Sequence, residues 1–336
     1  MGRRRLQTEW VASPLTLPLS LVGVLLVWTL TGVFGLADAA PAFIGLLGRD
    51  GVGTWLSLPW VSHTVALLGY VLLGYMMLEL NNAYAVIRMR TSLQVSLTGW
   101  LLAASPALLQ SPVGAWVSAS VAVSLYFLFR SYQQADRPIY LFRSAAYLGL
   151  GSLLFPPLLL LEPVCLLGAY LFRSLTWRGF FAAVLGLCLP YAFLLGHAYW
   201  WGRMDLFTAP FADLALLRQP LSFAASGSVW ALWGVMLLLL LVGSLHYFGT
   251  SNDDKIRTRN YLHFLVLLGV VLFALSLLLM GQAVVWLAAL LPVVSLVGAH
   301  LFALSHSKAS NLFFLFYIIS LLAVFSFCVW SHLCRS

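Results

Sequence analysis

Residues 141–172 read LFRSAAYLGLGSLLFPPLLLLEPVCLLGAYLF. The stretch is too long for one ordinary membrane crossing of roughly 20 residues. It is also broken at Pro156 and Pro157, where a helix loses backbone hydrogen bonds and the proline ring meets the carbonyl four residues earlier. Two short helices meeting near the outer side are therefore expected. The reading matters beyond its own length: a hairpin returns the chain to the side it left, and a single crossing does not, so every later segment threads one way or the other.

The surrounding composition establishes the solvent. Of 336 residues, 62% are hydrophobic and 8% are charged. An ordinary soluble domain carries about 25% charged residues, so no normal water-facing surface can be built from this chain. Continuous apolar runs select helices, whose backbone groups are satisfied internally in hydrocarbon, and exclude a barrel built on alternation. The formal charge of +8 is spread in short basic pairs between apolar runs, so it speaks for membrane topology and not for nucleic acid. Cys165, Cys188, Cys328 and Cys334 show no CxxC spacing and indicate neither a disulfide framework nor a metal site.

Spans are expected at about 14–36, 61–84, 92–110, 112–130, the two arms within 141–172, 178–201, 227–249, 260–280, 282–304 and 311–332. This makes an all-α, polytopic transmembrane helical bundle of about 11 spans, a single membrane domain over 1–336 with no repeat and no soluble part. The first span ends in Ala37-Asp38-Ala39, which resembles a signal-peptidase site, but its apolar region exceeds the roughly 7–15 residues of a signal peptide and is read as uncleaved. Basic loops are retained in the cytoplasm. With a cytoplasmic N-terminus and the hairpin in place, 14 of 18 Lys and Arg fall inside, leaving Arg49, Arg203, Arg218 and Arg335 outside. Outer loops are then expected at about 37–60 and 202–226.

Two carboxylates fall at membrane depth, Glu79 and Glu162. An intramembrane acid costs roughly 2.5–3.5 kcal/mol or more unless paired, so each calls for a reason. Glu79 precedes Asn81, Asn82 and Arg88 and reads as part of an interfacial hydrogen-bonding group; Glu162 reads as a polar group in a packing seam or as a substrate or proton contact. At the outer ends, Asp38 follows the first span directly and is the candidate catalytic base. His197, Tyr199, Trp200, Trp201 and Arg203 cluster where one span closes. An aromatic interface belt accounts for the rings, while His197, Arg203 and Arg218 are candidate contacts for a phosphate or sugar, since arginine offers a two-pronged fork to phosphate. His246, His263, His300 and His306 lie too far apart in sequence for a convincing metal set, and no common soluble-enzyme motif or cofactor signature is present.

The segments Leu80-Asn81-Asn82, Ile87-Arg88-Met89-Arg90-Thr91, Ser131-Tyr132-Gln133, Phe155-Pro156-Pro157 and Leu171-Phe172-Arg173-Ser174-Leu175-Thr176-Trp177-Arg178 resemble an uncharacterised family of Bacteroidetes inner-membrane proteins over about residues 75–200. The resemblance implies a bacterial cytoplasmic membrane and no particular activity. A weaker, layout-level resemblance is to the GT-C glycosyltransferases, prompted by an acid after the first span, paired short helices and the glycine-rich Leu148-Gly149-Leu150-Gly151 ahead of paired prolines. It implies a polyprenyl-phosphate-linked sugar as substrate with Asp38 as base, although the first outer loop of about 24 residues is short for that family.

Three functions follow as expectations. The scarcity of polar residues is best accommodated by a structural or assembly subunit of the cell envelope, without chemistry of its own, contacting membrane lipids and other envelope membrane proteins. The alternatives are a GT-C-like transferase and an envelope lipid transporter or flippase that uses Glu79 and Glu162. Labelling of single cysteines introduced by substitution should find the 202–226 connection outside and the 250–260 connection inside; both on one face would overturn the threading.

Overall fold

The computed structural model describes residues 6–34, 58–214, 225–251, 254–305 and 307–334. In chain order these form α1 (Leu6–Ala12), α2 (Thr16–Phe34), α3 (Pro59–Tyr84), α4 (Leu93–Ala104), α5 (Pro106–Leu109), α6 (Pro112–Arg130), α7 (Ile139–Leu154), a 3-10 turn (Pro156–Leu161), α8 (Glu162–Leu171), α9 (Trp177–Trp200), α10 (Met204–Asp213), α11 (Gly227–Thr250), α12 (Ile256–Leu278), a second 3-10 turn (Met280–Gln282), α13 (Ala283–Leu304) and α14 (Lys308–Leu333). Among the described residues no strand occurs. Eight helices there are long and apolar enough to cross a membrane, the makeup of a multi-pass membrane protein; the segments Leu93–Ala104, Ile139–Leu154 and Pro156–Leu171 are apolar but shorter.

The chain groups into two compact units. The first comprises residues 1–40, 77–111 and 223–336. Its centre is α13: 94% of the most apolar window over Met280–Leu304 is buried, against 11% for α2. A helix that is apolar all round belongs inside, and α12, α11 and α4 pack against it. Contact is close because small residues face it: a Cβ on Gly243 would lie 2.7 Å from Val297. The few polar links are specific. Thr98 on α4 hydrogen-bonds Ser295 of α13 at 2.9 Å. Trp100 donates its indole N–H to Ser20 of α2 at 2.9 Å, and Gln110 donates to the Thr31 carbonyl at 3.1 Å. At the other end of α13, the Gln7 amide of α1 donates to the carbonyls of Phe302 and Ser305, both at 2.7 Å, groups that have no donor within the helix.

The second unit comprises residues 41–76 and 112–222, with α7 packed between α6 and α9. Helix α7 stops at Leu154 because Phe155 precedes a proline and is pushed out of the helical region, to φ −141°. The prolines then start a tight 3-10 turn before α8 resumes at Glu162 with Pro163 in its first turn. At the base of the two arms the chain closes on itself: the Gln133 N–H donates to the Phe172 carbonyl at 2.9 Å, and the Ser131 and Ser174 hydroxyls meet at 2.9 Å. Residues 139–171 thus leave and return at one end, which is the hairpin expected from the paired prolines; the structure adds the six-residue 3-10 turn at its tip.

Lipid tails are as apolar as leucine, so helices in a bilayer associate through close packing and polar links. Ser124 of α6 bonds Ser144 of α7 at 2.9 Å, and Ser152 of α7 bonds the Tyr191 hydroxyl of α9 at 2.9 Å. A Cβ at Gly149 would stand 2.8 Å from the Leu187 carbonyl oxygen, and one at Gly186 would collide with the Phe142 carbonyl. Replacing Gly186 with valine should therefore separate α7 from α9 and cost about 1–3 kcal/mol or more, read as a lower unfolding midpoint in detergent. Gly196→Ala, where nothing lies within 4 Å, should leave the midpoint unchanged.

Candidate functional site

Near the end of α3, Asn81 replaces the hydrogen bonds that a helix terminus leaves unmade. Its side-chain carbonyl accepts from the Ile87 N–H at 3.0 Å, and its amide donates to the Met89 carbonyl at 3.1 Å. Short amide side chains are suited to this because they mimic the backbone. The bracket holds a connection in which Ala85 and Arg88 both take left-handed backbone, at φ 50° and 63°. Such conformations cost energy in residues with a Cβ and persist only when surrounding contacts impose them. Here they carry Arg88 to Asp254.

The Arg88 Nε donates to Asp254 Oδ1 in an ion pair. Asp254 lies in the connection between α11 and α12, its side chain 0% exposed, while that of Arg88 is 31% exposed. The second carboxylate oxygen faces His300 Nε2 of α13 at 3.6 Å, beyond an ordinary hydrogen bond. The His246 ring of α11 lies 6.1 Å from that of His300, and Tyr247 is edge-on to His300 at 6.2 Å. The Tyr247 hydroxyl donates to the Arg259 carbonyl at 3.0 Å and stands 2.9 Å from His263 Nδ1. A hydroxyl has one proton to give, so with that proton on Arg259 the His263 Nδ1 must be the protonated nitrogen of its ring.

Beside this group, Arg257 donates from Nε to the Tyr261 hydroxyl at 2.6 Å, with its guanidinium 5.6 Å from the Tyr84 ring and 5.4 Å from that of Tyr261. Arg90, Lys255 and Arg257 are exposed around it. The result is a basic rim over a buried carboxylate and two buried or half-buried imidazoles. Asp254 Oδ2, His246 Nε2 and both ring nitrogens of His300 find no hydrogen-bond partner among the described residues. Nor is any set of three His, Cys, Asp or Glu there arranged to hold a metal. The arrangement sets imidazoles beside a carboxylate, and it presents cations to an anionic group.

The residues singled out from sequence fall in other places. Glu162 is the first residue of α8 and is buried, with Oε2 lacking a partner. Glu79 is half-buried on α3, two residues before Asn81. His197 is exposed near the end of α9, its ring 6.3 Å from that of Trp201. The neighbouring Tyr199, Trp200 and Trp201 are exposed, as an interface belt requires. Arg203 pairs with Asp205 at 3.1 Å, and the guanidinium holds that carboxyl below the usual carboxylate range. Asp38 and Arg218 lie outside the described residues. The group around Asp254 was not singled out from sequence; the one signal pointing to it is an acid within Asp253-Asp254-Lys255, in a chain with only ten acids.

Comparison with protein-family models, curated proteins and solved structures finds no match to this chain.

Removing one partner of a buried ion pair strands the other and costs roughly 3–5 kcal/mol, less where one group keeps contact with water. Arg88→Gln and Asp254→Asn should each lower the unfolding midpoint in detergent, and the double variant should fall by less than the sum. Additive losses would mean that the two side chains do not act as a pair.

Proposed function

We propose that this multi-pass membrane protein is a transport protein of the bacterial cell envelope, moving an anionic amphiphile across the cytoplasmic membrane, with Arg88, Asp254 and His300 as a gate. The observation that carries the reading is the buried, incompletely satisfied Asp254 group. A buried ion pair contributes little net stability compared with well-packed apolar side chains, and ionisable groups inside membrane proteins mark substrate and proton pathways. An anionic headgroup arriving at the basic rim competes with Asp254 for the Arg88 guanidinium, and His300 and His246 lie beside the carboxylate that is released. The proline-broken hairpin belongs with this reading, since irregular backbone within membrane proteins is found where protein or a water-lined cavity surrounds it. The arginine bias supports a cytoplasmic position for this end of the first unit, and the eleven-span reading takes the three shorter apolar helices as crossings beside the eight long ones.

The transferase reading draws no such support: its base, Asp38, and one of its arginines, Arg218, lie outside the described residues, and Arg203 is engaged by Asp205. The test is transfer of a tail-labelled fluorescent phosphatidylglycerol in liposomes holding the purified full chain, read as loss of protection from a membrane-impermeant quencher. The chain should speed transfer at least about tenfold over protein-free liposomes, equivalent to 1.4 kcal/mol of barrier, and Asp254→Asn should change that rate. Equal rates with and without the protein would defeat the transport reading and leave the structural or assembly role.

A further inference from the structure

Among the described residues of the second unit one carboxyl is buried, Glu162, at the tip of the hairpin. Its residue is 8% exposed, and Oε2 has no hydrogen-bond partner among the described residues. The packed faces of α6 and α7 in the same unit carry small hydroxyls. On α8, Glu162, Cys165, Gly168 and Ala169 are buried at helical spacing and so share one face. The Cys165 thiol lies beside Ser124 of α6, which meets Ser144 of α7 at 2.9 Å. One turn along α6, Ser120 abuts Gly151 of α7, where an added Cβ would lie 2.8 Å from the serine Cβ. In the other direction the run ends at Ser131 and Ser174, 2.9 Å apart at the base of the hairpin. Beside it, Ser152 bonds Tyr191 at 2.9 Å.

Serines alone would be accounted for by close packing, because small residues let helix backbones approach in a membrane. A carboxyl does not serve that purpose. It is larger, it costs energy to bury, and this one leaves an oxygen with nothing to accept from. A protonated carboxyl is the form compatible with such surroundings, and a hydroxyl run leading from the base of the hairpin provides groups that both donate and accept.

We propose that Glu162 is a proton-binding site of the membrane domain, loaded and unloaded along the Ser131, Ser124 and Ser120 face of α6. Its ligand is the proton, not a metal cation, since one carboxylate with scattered hydroxyls lacks the six to eight oxygens of a calcium site and the near-octahedral set of a magnesium site. Among the described residues no ion pair to Glu162 is found, and the charged groups of neighbouring elements make contacts elsewhere. On α6 and α7, Arg143 and Tyr147 lie against Phe127, with Arg143 and Tyr147 exposed, and Arg130 lies over Tyr140. Tyr191 of α9 is engaged by Ser152, and ahead of α10, which packs on the 3-10 turn, Arg203 is engaged by Asp205. As the ion that drives transport the proton rests on the reading above; as a titrating site in the hairpin it stands on this geometry alone.

The test uses dicyclohexylcarbodiimide, an apolar reagent that reacts with protonated carboxyls reached from the bilayer. The acid oxygen bonds to the carbodiimide carbon while its proton passes to nitrogen, and the acyl group then shifts from oxygen to nitrogen to give a stable acylurea with no other reactant. With the full chain in lipid, peptide mass spectrometry should find an adduct on Glu162 that is absent in Glu162→Gln. Labelling should fall with rising pH, approaching about tenfold per pH unit once the carboxyl is mostly ionised. Sodium should give no protection. Absence of the adduct, labelling that is flat with pH, or labelling by a cationic water-soluble carbodiimide in its place would overturn the proposal; protection by sodium would overturn it in favour of a sodium site. No arm of this measurement depends on transport, so failure of the liposome assay leaves its outcome intact.

Discussion

The carboxylate of Asp254 is wholly withdrawn from solvent, and the first unit is arranged around how that charge is met. Arg88 reaches it only because the end of α3 turns through two left-handed residues, and those residues keep that conformation because Asn81 brackets the turn from both sides. The connection from α11 to α12 and the last turns of α13 are thereby joined to α3 through one side chain. A hydrophobic replacement of this group would pack with fewer conditions on its neighbours. That the chain instead keeps a carboxylate, an arginine and two histidines together is the strongest statement its structure makes about function.

Elsewhere the two units rely on a different economy of contact. With lipid outside, burial of leucine gains little over leaving it exposed, and the separation between helices is set by how near two backbones can come. Gly243 against Val297 and Gly186 against Phe142 mark where that limit is reached. The hydroxyl pairs between α6 and α7 and between α7 and α9 add direction, each worth on average about 0.6 kcal/mol in membrane proteins, so their value lies more in fixing register than in stability.

The sequence carried the helices and the reversal at Pro156 and Pro157 because both follow from local chemistry: runs of apolar residues long enough for hydrocarbon, and rings that cannot continue a helix. The hairpin had a second support in the sequence, since the arginine distribution fits its threading better than that of a single crossing. The group around Asp254 was not legible. Arg88 and Asp254 are separated by 166 positions, and His246, His263 and His300 look dispersed along the chain because nothing in their spacing shows that α11, α12 and α13 pack side by side. His197 is adjacent in sequence to the aromatic group and to Arg203; in the structure it is exposed, and Arg203 pairs with Asp205. Glu162 reads from sequence as a polar group in a packing seam or as a substrate or proton contact; that it is buried with an unpartnered oxygen depends on tertiary packing.

The closure of residues 139–171 at a single end bears on how the protein is made. Helix α7 has 16 residues and α8 only 10, so neither arm alone presents the length of apolar helix that a translocon releases readily into lipid. Ser131, Gln133, Phe172 and Ser174 must all have been synthesised before the clasp can form. Until residue 174 has been added the two arms cannot be closed at their base, so the pair is completed only after both have been made.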